Sequence, residues 1–388
     1  MFKLNGYTLT TPARKKVGDG KNLDLLMNLP LSLKVGLSDS AMAKKQPGTQ
    51  NGSVAFPQDL SIYLAGQLAP HTGSFIEMAY DHSSDHITFG MADLRYANHT
   101  KLAGKSFVYG VDLNNQPTFE DLWNSTPGEG YPYEDSDVTP GSIASPALGM
   151  LMQDVAGIGA YGMWNNHLYG DVTLYRSEHA GGDAPLTGKG FMYNIIGVAP
   201  YWRAAWQQNL GSSYLEVGTY GIYFNSVPNG VTGTEDNYTD AAFDFSYEHP
   251  FGSNTLSVHG SFLHENADLN AEYGAGNAAF ANHGLNQDNV DATYYFGYKY
   301  NLSAAYSDTF GQKDPVLYAP DPFDGSRTGS PDTRGYILQA GYWPVQNISL
   351  TVAYNGFTQF NGSSNNYDGA DRNAADNNTT YAAAWFYF

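Results

Sequence analysis

Hydrophobic and polar positions alternate along most of this chain with a period of two. Between residues 60 and 68 the even positions carry leucine, isoleucine or glycine, and the odd positions carry serine, tyrosine, alanine and glutamine. The same alternation runs through residues 241–248, 256–262 and 348–355. A period of two predicts β-strands, because an amphipathic helix would repeat its apolar residues at intervals of three and four.

The alternation divides the chain into about sixteen segments. Each is about 9–13 residues long, which exceeds the length typical of strands in soluble proteins and matches a tilted strand that crosses a bilayer. The predicted strands cover residues 31–39, 60–69, 74–82, 85–96, 105–113, 156–164, 166–177, 195–207, 213–224, 239–249, 254–265, 289–299, 301–311, 334–343, 347–359 and 379–388. The sequence therefore predicts an all-β fold, a transmembrane antiparallel β-barrel.

The connections between these segments form a short and a long group. The short ones follow alternate strands and consist of Asn165, 208–212, 250–253, Tyr300 and 344–346. The long ones follow the other strands and cover 40–59, 114–155, 178–194, 225–238, 266–288, 312–333 and 360–378, with 83–84 as a short exception. Because outer-membrane barrels have short periplasmic turns and long extracellular loops, we expect both termini in the periplasm and the long loops outside the cell.

The chain ends on four aromatic residues, Trp385, Phe386, Tyr387 and Phe388, which continue the alternation to the last position. In a barrel the final strand pairs with the first and so removes both open edges. The terminal phenylalanine resembles the recognition signal of outer-membrane barrel proteins. It implies that the barrel-assembly machinery of a Gram-negative bacterium is a partner.

The net charge of the chain narrows the choice of further partners. There are 38 acidic and 19 basic side chains, so the net charge is 19 − 38 = −19. This balance argues against nucleic acid as a partner, since neutralising phosphates requires clustered lysine and arginine. The long connections are acidic, and we interpret them as solvated loops. The alternative is that their acidic side chains bind divalent cations, either from the medium or those that bridge lipopolysaccharide phosphates. We expect outer-membrane lipid and lipopolysaccharide as the surroundings.

Several kinds of chemistry are not predicted. The chain contains no cysteine, which excludes disulfides, thiolate metal sites and a haem attached through C-x-x-C-H. The sequence contains no run of about 18 apolar residues, so it predicts no transmembrane helix. The ten histidines form no H-E-x-x-H pattern, and no G-x-S-x-G, phosphate-binding or dinucleotide-binding motif occurs. We therefore expect no enzyme, no catalytic or metal-binding residues and no cofactor in this chain.

Ten charged residues lie on the polar phase of the predicted strands and are candidates for the inner wall of the barrel. They are Glu77, Asp112, Asp171, Glu216, Asp244, Glu248 and Asp291 among the acids, and Lys34, Arg203 and Lys299 among the bases. This excess of acids predicts a lumen that prefers cations if water fills it. The alternative is that these charges pair across the barrel and hold it open or plugged.

Residues 1–30 do not alternate, and we separate them from the barrel domain at residues 31–388. They are basic between Arg14 and Lys21 and form either a plug in the lumen or a periplasmic lead-in. Opposite charges attract more strongly in a partly dry space, which favours the lumen. The first residues lack the pattern of a signal peptide, so we expect that an export signal has been removed or that the chain begins downstream of the true start.

Three stretches of sequence resemble a known family. Residues 2–7 (FKLNGY), 60–81 and 109–127 are similar to outer-membrane monohaem cytochrome–porin fusions, the family of the iron-oxidising outer-membrane cytochromes. In that family a short segment bearing C-x-x-C-H precedes these words and plugs the barrel, and its haem passes electrons from outside the cell towards periplasmic carriers. The resemblance implies haem c in full-length relatives and a periplasmic cytochrome as partner. No haem ligand can be carried over to any position of this chain.

We therefore expect a porin-like outer-membrane barrel whose polar lumen passes small solutes or ions or houses an electron-transfer module. The first alternative is the barrel part of a cytochrome–porin that transfers electrons from extracellular donors, such as ferrous iron, to periplasmic carriers. The second is a secreted β-protein that binds glycans through exposed tyrosine and tryptophan. The terminal phenylalanine, the long strands and the asymmetry of the connections argue against this second alternative.

Overall fold

A computed structural model describes residues 2–8, 30–46, 51–81, 86–126, 136, 138–152, 155–177, 194–228 and 232–388. The chain forms a closed 16-stranded antiparallel β-barrel, which confirms the predicted fold class. The wall strands are β1 (Leu31–Met42), β3 (Leu60–Ala69), β4 (Thr72–Asp81), β5 (His86–Leu102), β6 (Lys105–Asn114), β7 (Val155–Trp164), β8 (Leu168–Ser177), β10 (Ala199–Leu210), β11 (Ser213–Ser226), β12 (Asp236–Phe251), β13 (Asn254–Asp268), β14 (Asn282–Phe296), β15 (Tyr300–Gly311), β16 (Thr333–Val345), β17 (Ile348–Gln359) and β18 (Thr379–Tyr387).

A few short elements accompany the wall. The strands β2 (Ser53–Ala55) and β9 (Ile195–Ile196) pair with β1 and β11. The helices are α1 (Ala147–Met150) and α2 (Asn270–Ala275), and single 3-10 turns occur at Lys3–Asn5, Pro117–Glu120 and Ala374–Asn377. In the part of the chain that the structure describes, no helix is long and apolar enough to cross a membrane.

The barrel closes between its first and last wall strands. β1 pairs with β18 over nine residues of each strand, beginning with Lys34 opposite Tyr387. At the end of this seam the N–H of Phe388 donates to the carbonyl of Leu33 at 2.9 Å, and the N–H of Leu33 donates to the carbonyl of Phe388 at 2.9 Å. The two terminal strands thus satisfy each other's backbone groups, as a strand in lipid requires.

The connections differ between the two ends of the barrel, as the sequence predicts. At one end the turns contain two or three residues, at 70–71, 103–104, 165–167, 211–212, 252–253, 297–299 and 346–347. In one of them Asn165 and Asn166 have φ angles of 54° and 58°, a left-handed conformation that asparagine tolerates in tight hairpins. The other end carries the longer loops, apart from the connection at 82–85.

One predicted strand begins and ends earlier in the sequence than its pattern indicates. The strand predicted at 289–299 is β14, and its first residues pair with the far end of β13 from Asn282 onwards. The turn that follows occupies residues 297–299, where Gly297 has a φ of 59°. Lys299 lies in this turn and not on a strand, which corrects its prediction as an inner-wall charge. Tyr300, predicted as a one-residue turn, is instead the first residue of β15.

The outer face of the wall is apolar. Ile158, Val172, Leu302 and Val352 alternate with buried positions, and each of these side chains is more than half exposed, at 61%, 57%, 54% and 56%. Exposed aromatic rings lie beside the short turns, at Phe251, Phe296, Tyr298 and Tyr300. An apolar band with aromatic rings at its border fits the lipid of a bilayer. The chain is thus built for the bacterial outer membrane, and this face argues against a secreted glycan-binding protein.

Candidate functional site

The connection between β6 and β7 folds into the barrel. Its described residues, 115–126, 136 and 138–152, are called the inner loop below. The carbonyl of Phe119 in this loop accepts a hydrogen bond of 2.9 Å from the guanidinium of Arg95, a fully buried residue of β5. The inner loop therefore begins against the inner face of the wall.

The inner loop then crosses the interior. Near its start the indole N–H of Trp123 donates to Gln207 of β10 at 3.1 Å. Further on, Ser136 donates to Ser40 of β1 at 2.6 Å and Ser142 donates to Thr333 of β16 at 3.2 Å. Seven successive strand pairings separate β1 from β10 in the 16-stranded wall, so the two strands lie almost opposite each other and the loop spans the lumen. For the described residues of the connection, this corrects the prediction that 114–155 form a loop outside the cell.

Helix α1 of the inner loop docks on two carboxylates of the wall. The N–H of Ala147 donates to Glu265 of β13 at 2.6 Å, and the N–H of Leu148 donates to Asp240 of β12 at 2.8 Å. These acceptors satisfy backbone groups that a helix start leaves unpaired. Leu148 and Leu151 are buried beside the helix in a cluster of wall residues that includes Tyr175, Tyr201, Tyr220 and Phe224. Polar and apolar contacts thus hold this part of the loop on the wall.

A buried arginine of β10 joins three strands to the inner loop. The Nη2 atom of Arg203 lies 3.2 Å from Asp121 of the loop and 3.4 Å from Glu216 of β11, and it also donates to Asp244 of β12. Ser125 of the loop donates to the same Asp244 carboxylate. All four charged side chains in this cluster are fully buried. A buried charge of this kind is tolerated only when it is paired and hydrogen-bonded.

A second buried arginine organises the neighbouring part of the wall. Arg95 donates from Nε to Asp93 at 2.7 Å and from Nη2 to Glu120 of the inner loop at 3.1 Å. Its guanidinium carbon lies 5.1 Å from the ring centroid of Tyr161, within cation–π range. Arg95 and Arg203 thus fix adjacent acids of the loop, Glu120 and Asp121, on two parts of the wall.

The N-terminal residues 2–8 pack inside the barrel beside the inner loop. Lys3 donates to the carbonyl of Asp121 at 2.8 Å, and the hydroxyl of Tyr161 donates to the carbonyl of Leu4 at 3.2 Å. The hydroxyl of Tyr7 donates to Asp93. Residues 2–8 therefore occupy part of the lumen. The basic stretch at 10–29, predicted as a plug or a periplasmic lead-in, lies outside the described residues.

The two charges that meet at Asp121 affect its ionisation. Burial raises the pKa of the Asp121 carboxyl, but the positive charges of Arg203 and Lys3 outweigh this effect and hold the pKa below its ordinary value. Burial in turn lowers the pKa of the Lys3 ammonium, against the attraction of Asp121. Asp121 is therefore a stable anion at the centre of the contacts between the N-terminal residues, the loop and the wall.

The structure separates the predicted inner-wall charges into three groups. The first contains side chains buried at the inner wall, namely Glu77, Asp112, Asp171, Arg203, Glu216 and Asp244. The second contains partly accessible pairs: Lys34 lies 2.8 Å from Asp59, and Asp291 lies 3.0 Å from His259. The third contains Glu248, which is exposed. Arg203, Glu216 and Asp244 meet in one cluster, and Asp112 and Asp171 lie close together in a second one with Glu120 of the inner loop.

The residues that hold the inner loop in place could not be predicted from the sequence. Arg95 and Asp93 lie on the inner phase of β5, yet no periodicity links them to Glu120 and Asp121 of the loop. The available signal was the acidity of the stretch around Glu120 and Asp121, which contains no lysine or arginine of its own. Acids of the loop that pair with buried arginines of the wall are held inside the barrel, because a buried arginine requires a compensating negative charge.

The aromatic C-terminus contributes to the seam. Trp385 is buried on the inner side and faces Gly36 of β1, while Phe386 is opposite Val35. Phe388 closes the backbone pairing with Leu33. Recognition of these last residues by the assembly machinery stays a prediction.

No protein-family model and no curated protein matches the chain. Solved structures share its architecture. The outer membrane channel DcaP of Acinetobacter baumannii matches with a TM-score of 0.55 and 12% identity, covering 95% of this chain and 99% of that one. Salmonella typhi OmpF in complex with daunomycin matches with a TM-score of 0.53 and 12% identity, covering 93% and 97%. The anion-selective porin from Comamonas acidovorans matches with a TM-score of 0.52 and 11% identity, covering 93% and 99%.

These comparisons concern the fold. At such low identity the shared barrel carries no particular solute or cofactor from one chain to another. The chain is a porin-like outer-membrane β-barrel with a lumen occupied by its own inner loop.

Proposed function

We propose that this protein conducts small cations across the outer membrane through a lumen that its inner loop narrows. The observation that carries the proposal is the charge of the interior. Carboxylates of the wall and inner loop outnumber the buried arginines, Arg95 and Arg203, and include Glu77, Asp93, Asp112, Glu120, Asp121, Asp171, Glu216, Asp240, Asp244 and Glu265. A low-dielectric passage lined mainly by acids attracts cations and repels anions.

Charge pairing accounts for only part of this interior. Arg203 is shared among the three acids of its cluster, and Lys34 is matched by Asp59 at 2.8 Å. Glu248 is exposed, and the Asp291 side chain is 19% exposed beside His259. These two acids are accessible to a passing ion. The proposed preference is opposite to that of the similar porin described as anion-selective.

The experiment is a reversal-potential measurement on the full chain in planar bilayers under a KCl gradient. Wild type should be cation-selective, and E248Q/D291N should shift the reversal potential towards zero. Asp288→Asn is the matched control, because residue 288 lies on the same strand as Asp291 and three positions away, on the opposite face. A chloride preference of wild type, or an equal shift in Asp288→Asn, would overturn the proposal.

We infer electron transfer as a second candidate function, favoured by a specific observation. Residues 2–7, which resemble the words that follow the haem segment in cytochrome–porins, pack inside the barrel against Asp93 and Tyr161. A haem-bearing segment joined ahead of them would therefore start within the lumen. The resemblance, and not the shared fold, supports this candidate.

The test of this second candidate is the intact mass and visible absorbance of the protein extracted from the outer membrane of its own host. A mass well above 42.2 kDa together with a haem band would support electron transfer. A mass near 42.2 kDa and no visible band would overturn it and leave cation passage as the function.

A further inference from the structure

We propose that Asp112, Glu120 and Asp171 bind one divalent cation that fastens the inner loop to the barrel wall. Asp112 belongs to β6 and Asp171 to β8, and Glu120 belongs to the inner loop. Each offers one carboxylate oxygen, and these oxygens lie within 4.8 Å of one another. The residues are 2%, 0% and 3% exposed in the order Asp112, Glu120, Asp171. Oxygen ligands of this kind suit hard cations such as Ca²⁺ and Mg²⁺.

Two oxygens of this cluster point to a ligand beyond the acidity of the site. Oδ2 of Asp112 and Oδ2 of Asp171 are buried, and neither accepts a hydrogen bond from an N–H or hydroxyl donor among the residues that the structure describes. The other oxygen of each carboxylate is occupied: Asn114 donates to Oδ1 of Asp112 at 3.0 Å, and Thr173 donates to Oδ1 of Asp171 at 3.1 Å. Buried polar atoms are rarely left unpaired, because their desolvation is then uncompensated. A cation held by these carboxylates removes this cost.

The local charge supports the same conclusion. Arg95 is the guanidinium in contact with this group of acids, and it is shared between Asp93 at 2.7 Å and Glu120 at 3.1 Å. Four carboxylates, with Asp112 and Asp171 included, and one guanidinium give a formal charge of −4 + 1 = −3. One divalent cation lowers this excess to a single negative charge. Uncompensated buried charges are otherwise strongly unfavourable.

The strand between the two aspartates leaves room for their carboxylates. Gly159 of β7 lies opposite Asp112 on one side and opposite Thr173 on the other. A methyl group at Gly159 would lie 2.6 Å from Oδ1 of Asp112 and 2.2 Å from Oγ1 of Thr173. Glycine is therefore needed at this position for the close approach of the side chains that orient the site.

The cation would add one more connection between the wall and the inner loop, beside the hydrogen bonds, the apolar contacts of Leu148 and Leu151, and the Arg95 and Arg203 ion pairs. Two of its ligands are fixed on the wall and the third is on the inner loop. Removal of the cation should therefore leave the barrel intact and weaken the hold of the wall on residues around Glu120. The ligand class is a divalent cation coordinated by oxygen, and the site requires no second protein.

The experiment is calorimetric titration of Ca²⁺ alone, and then of Mg²⁺ alone, into the folded full chain in detergent after treatment with EDTA and removal of the chelator. Wild type should bind a single tight equivalent of one of these ions. D112N/D171N preserves side-chain size and should weaken binding by about tenfold or more. Asp288→Asn removes one carboxylate on the opposite face of β14, away from the cluster, and should bind as wild type does.

Folding of each variant is checked by its heat-modifiable mobility in gel electrophoresis. If D112N/D171N does not fold, Glu120→Gln replaces it, since residue 120 is in the loop and not in the wall. Absence of tight binding by wild type would overturn the proposal. So would tight binding that persists in the folded cluster variant, because the ion would then sit elsewhere, for example on the acidic outer loops.

Discussion

The ammonium group of Lys34 lies 4.1 Å from the centroid of the Trp385 ring, across the seam between β1 and β18. In the register of the seam Trp385 is opposite Gly36, and a methyl group at Gly36 would lie 2.4 Å from Cζ3 of the indole. The ring therefore covers the backbone of the first strand and supports the charged side chain next to it. One aromatic residue near the C-terminus thus fixes the packing of the closing strand pair.

Replacing Trp385 by alanine should weaken this seam more than any other single change in β18. The side chain is 5% exposed, so its removal should lower the free energy of unfolding by about 3 kcal/mol or more. Urea unfolding of the barrel in lipid vesicles measures the effect. Phe386→Ala serves as the control, because Phe386 faces the outer side of the same strand. An equal loss in both variants would show that the indole has no special role at the seam.

Arg203→Ala should destabilise the barrel strongly, because it leaves the buried acids Asp121, Glu216 and Asp244 without their cation. We expect a loss of about 3–5 kcal/mol in the free energy of unfolding. Adding Asp244→Asn should restore part of it, since one uncompensated charge is then removed.

The control for Arg203 is another arginine–aspartate pair, which joins β15 to β16 elsewhere on the wall. Arg334 lies 2.9 Å from Asp308, but its side chain is 45% exposed. Its replacement by alanine should therefore change the free energy of unfolding by less than about 1 kcal/mol. Comparable losses for both arginines would contradict the role assigned to burial.

Removing the two carboxylates that hold α1 should release this part of the inner loop. In D240A/E265A the N–H groups of Ala147 and Leu148 lose their acceptors. We expect a larger and noisier single-channel conductance and faster proteolysis within the inner loop. Asp236→Ala is the matched control, because Asp236 accepts the N–H of Ala271 at 2.6 Å in the outer helix α2. Unchanged conductance in the double variant would show that α1 does not restrict the passage.

Acid should destabilise the loop that precedes β16, through Asp314. This carboxylate accepts N–H groups of Val316 and Leu317 at 2.8 and 2.9 Å and of Ala279 at 2.8 Å. Burial raises the pKa of Asp314, but these hydrogen bonds outweigh it and hold the pKa below its ordinary value. The contribution to stability is thus present above the ordinary pKa of about 4 and is lost as the pH falls through the folded-state value.

The corresponding measurement is thermal unfolding of wild type and Asp314→Asn between about pH 6 and about pH 2. The variant should unfold at a lower temperature near neutrality, and the difference between the two proteins should shrink in acid. A difference that stays constant over this range would mean that ionisation of Asp314 does not contribute.

The wall could be predicted from the sequence because lipid and lumen impose opposite polarities on successive residues of each strand. The alternation therefore predicts segments such as 60–69 and 213–224 almost to the ends of the observed strands. The inner loop has no such period: Glu120 is fixed by Arg95, and Asp121 by Arg203. These pairings depend on the three-dimensional proximity of distant residues, so the sequence predicts only a long acidic loop outside the cell. The sequence predicts Asp112 and Asp171 on the inner wall of the barrel. Their close approach across β7 depends on the register of β6, β7 and β8 and on the absence of a side chain at Gly159.

The closing pair also constrains the order of assembly. Lys34 and Tyr387 are partners in the seam, so the wall becomes continuous only when the last strand of the chain has been placed. Contacts so distant in sequence form late, because a long stretch of chain must be ordered first. By then residues 2–8 and the inner loop have to be inside. The barrel therefore encloses residues 2–8 and the inner loop as it closes. An inner loop left outside at that moment would be separated from its partners by the completed wall.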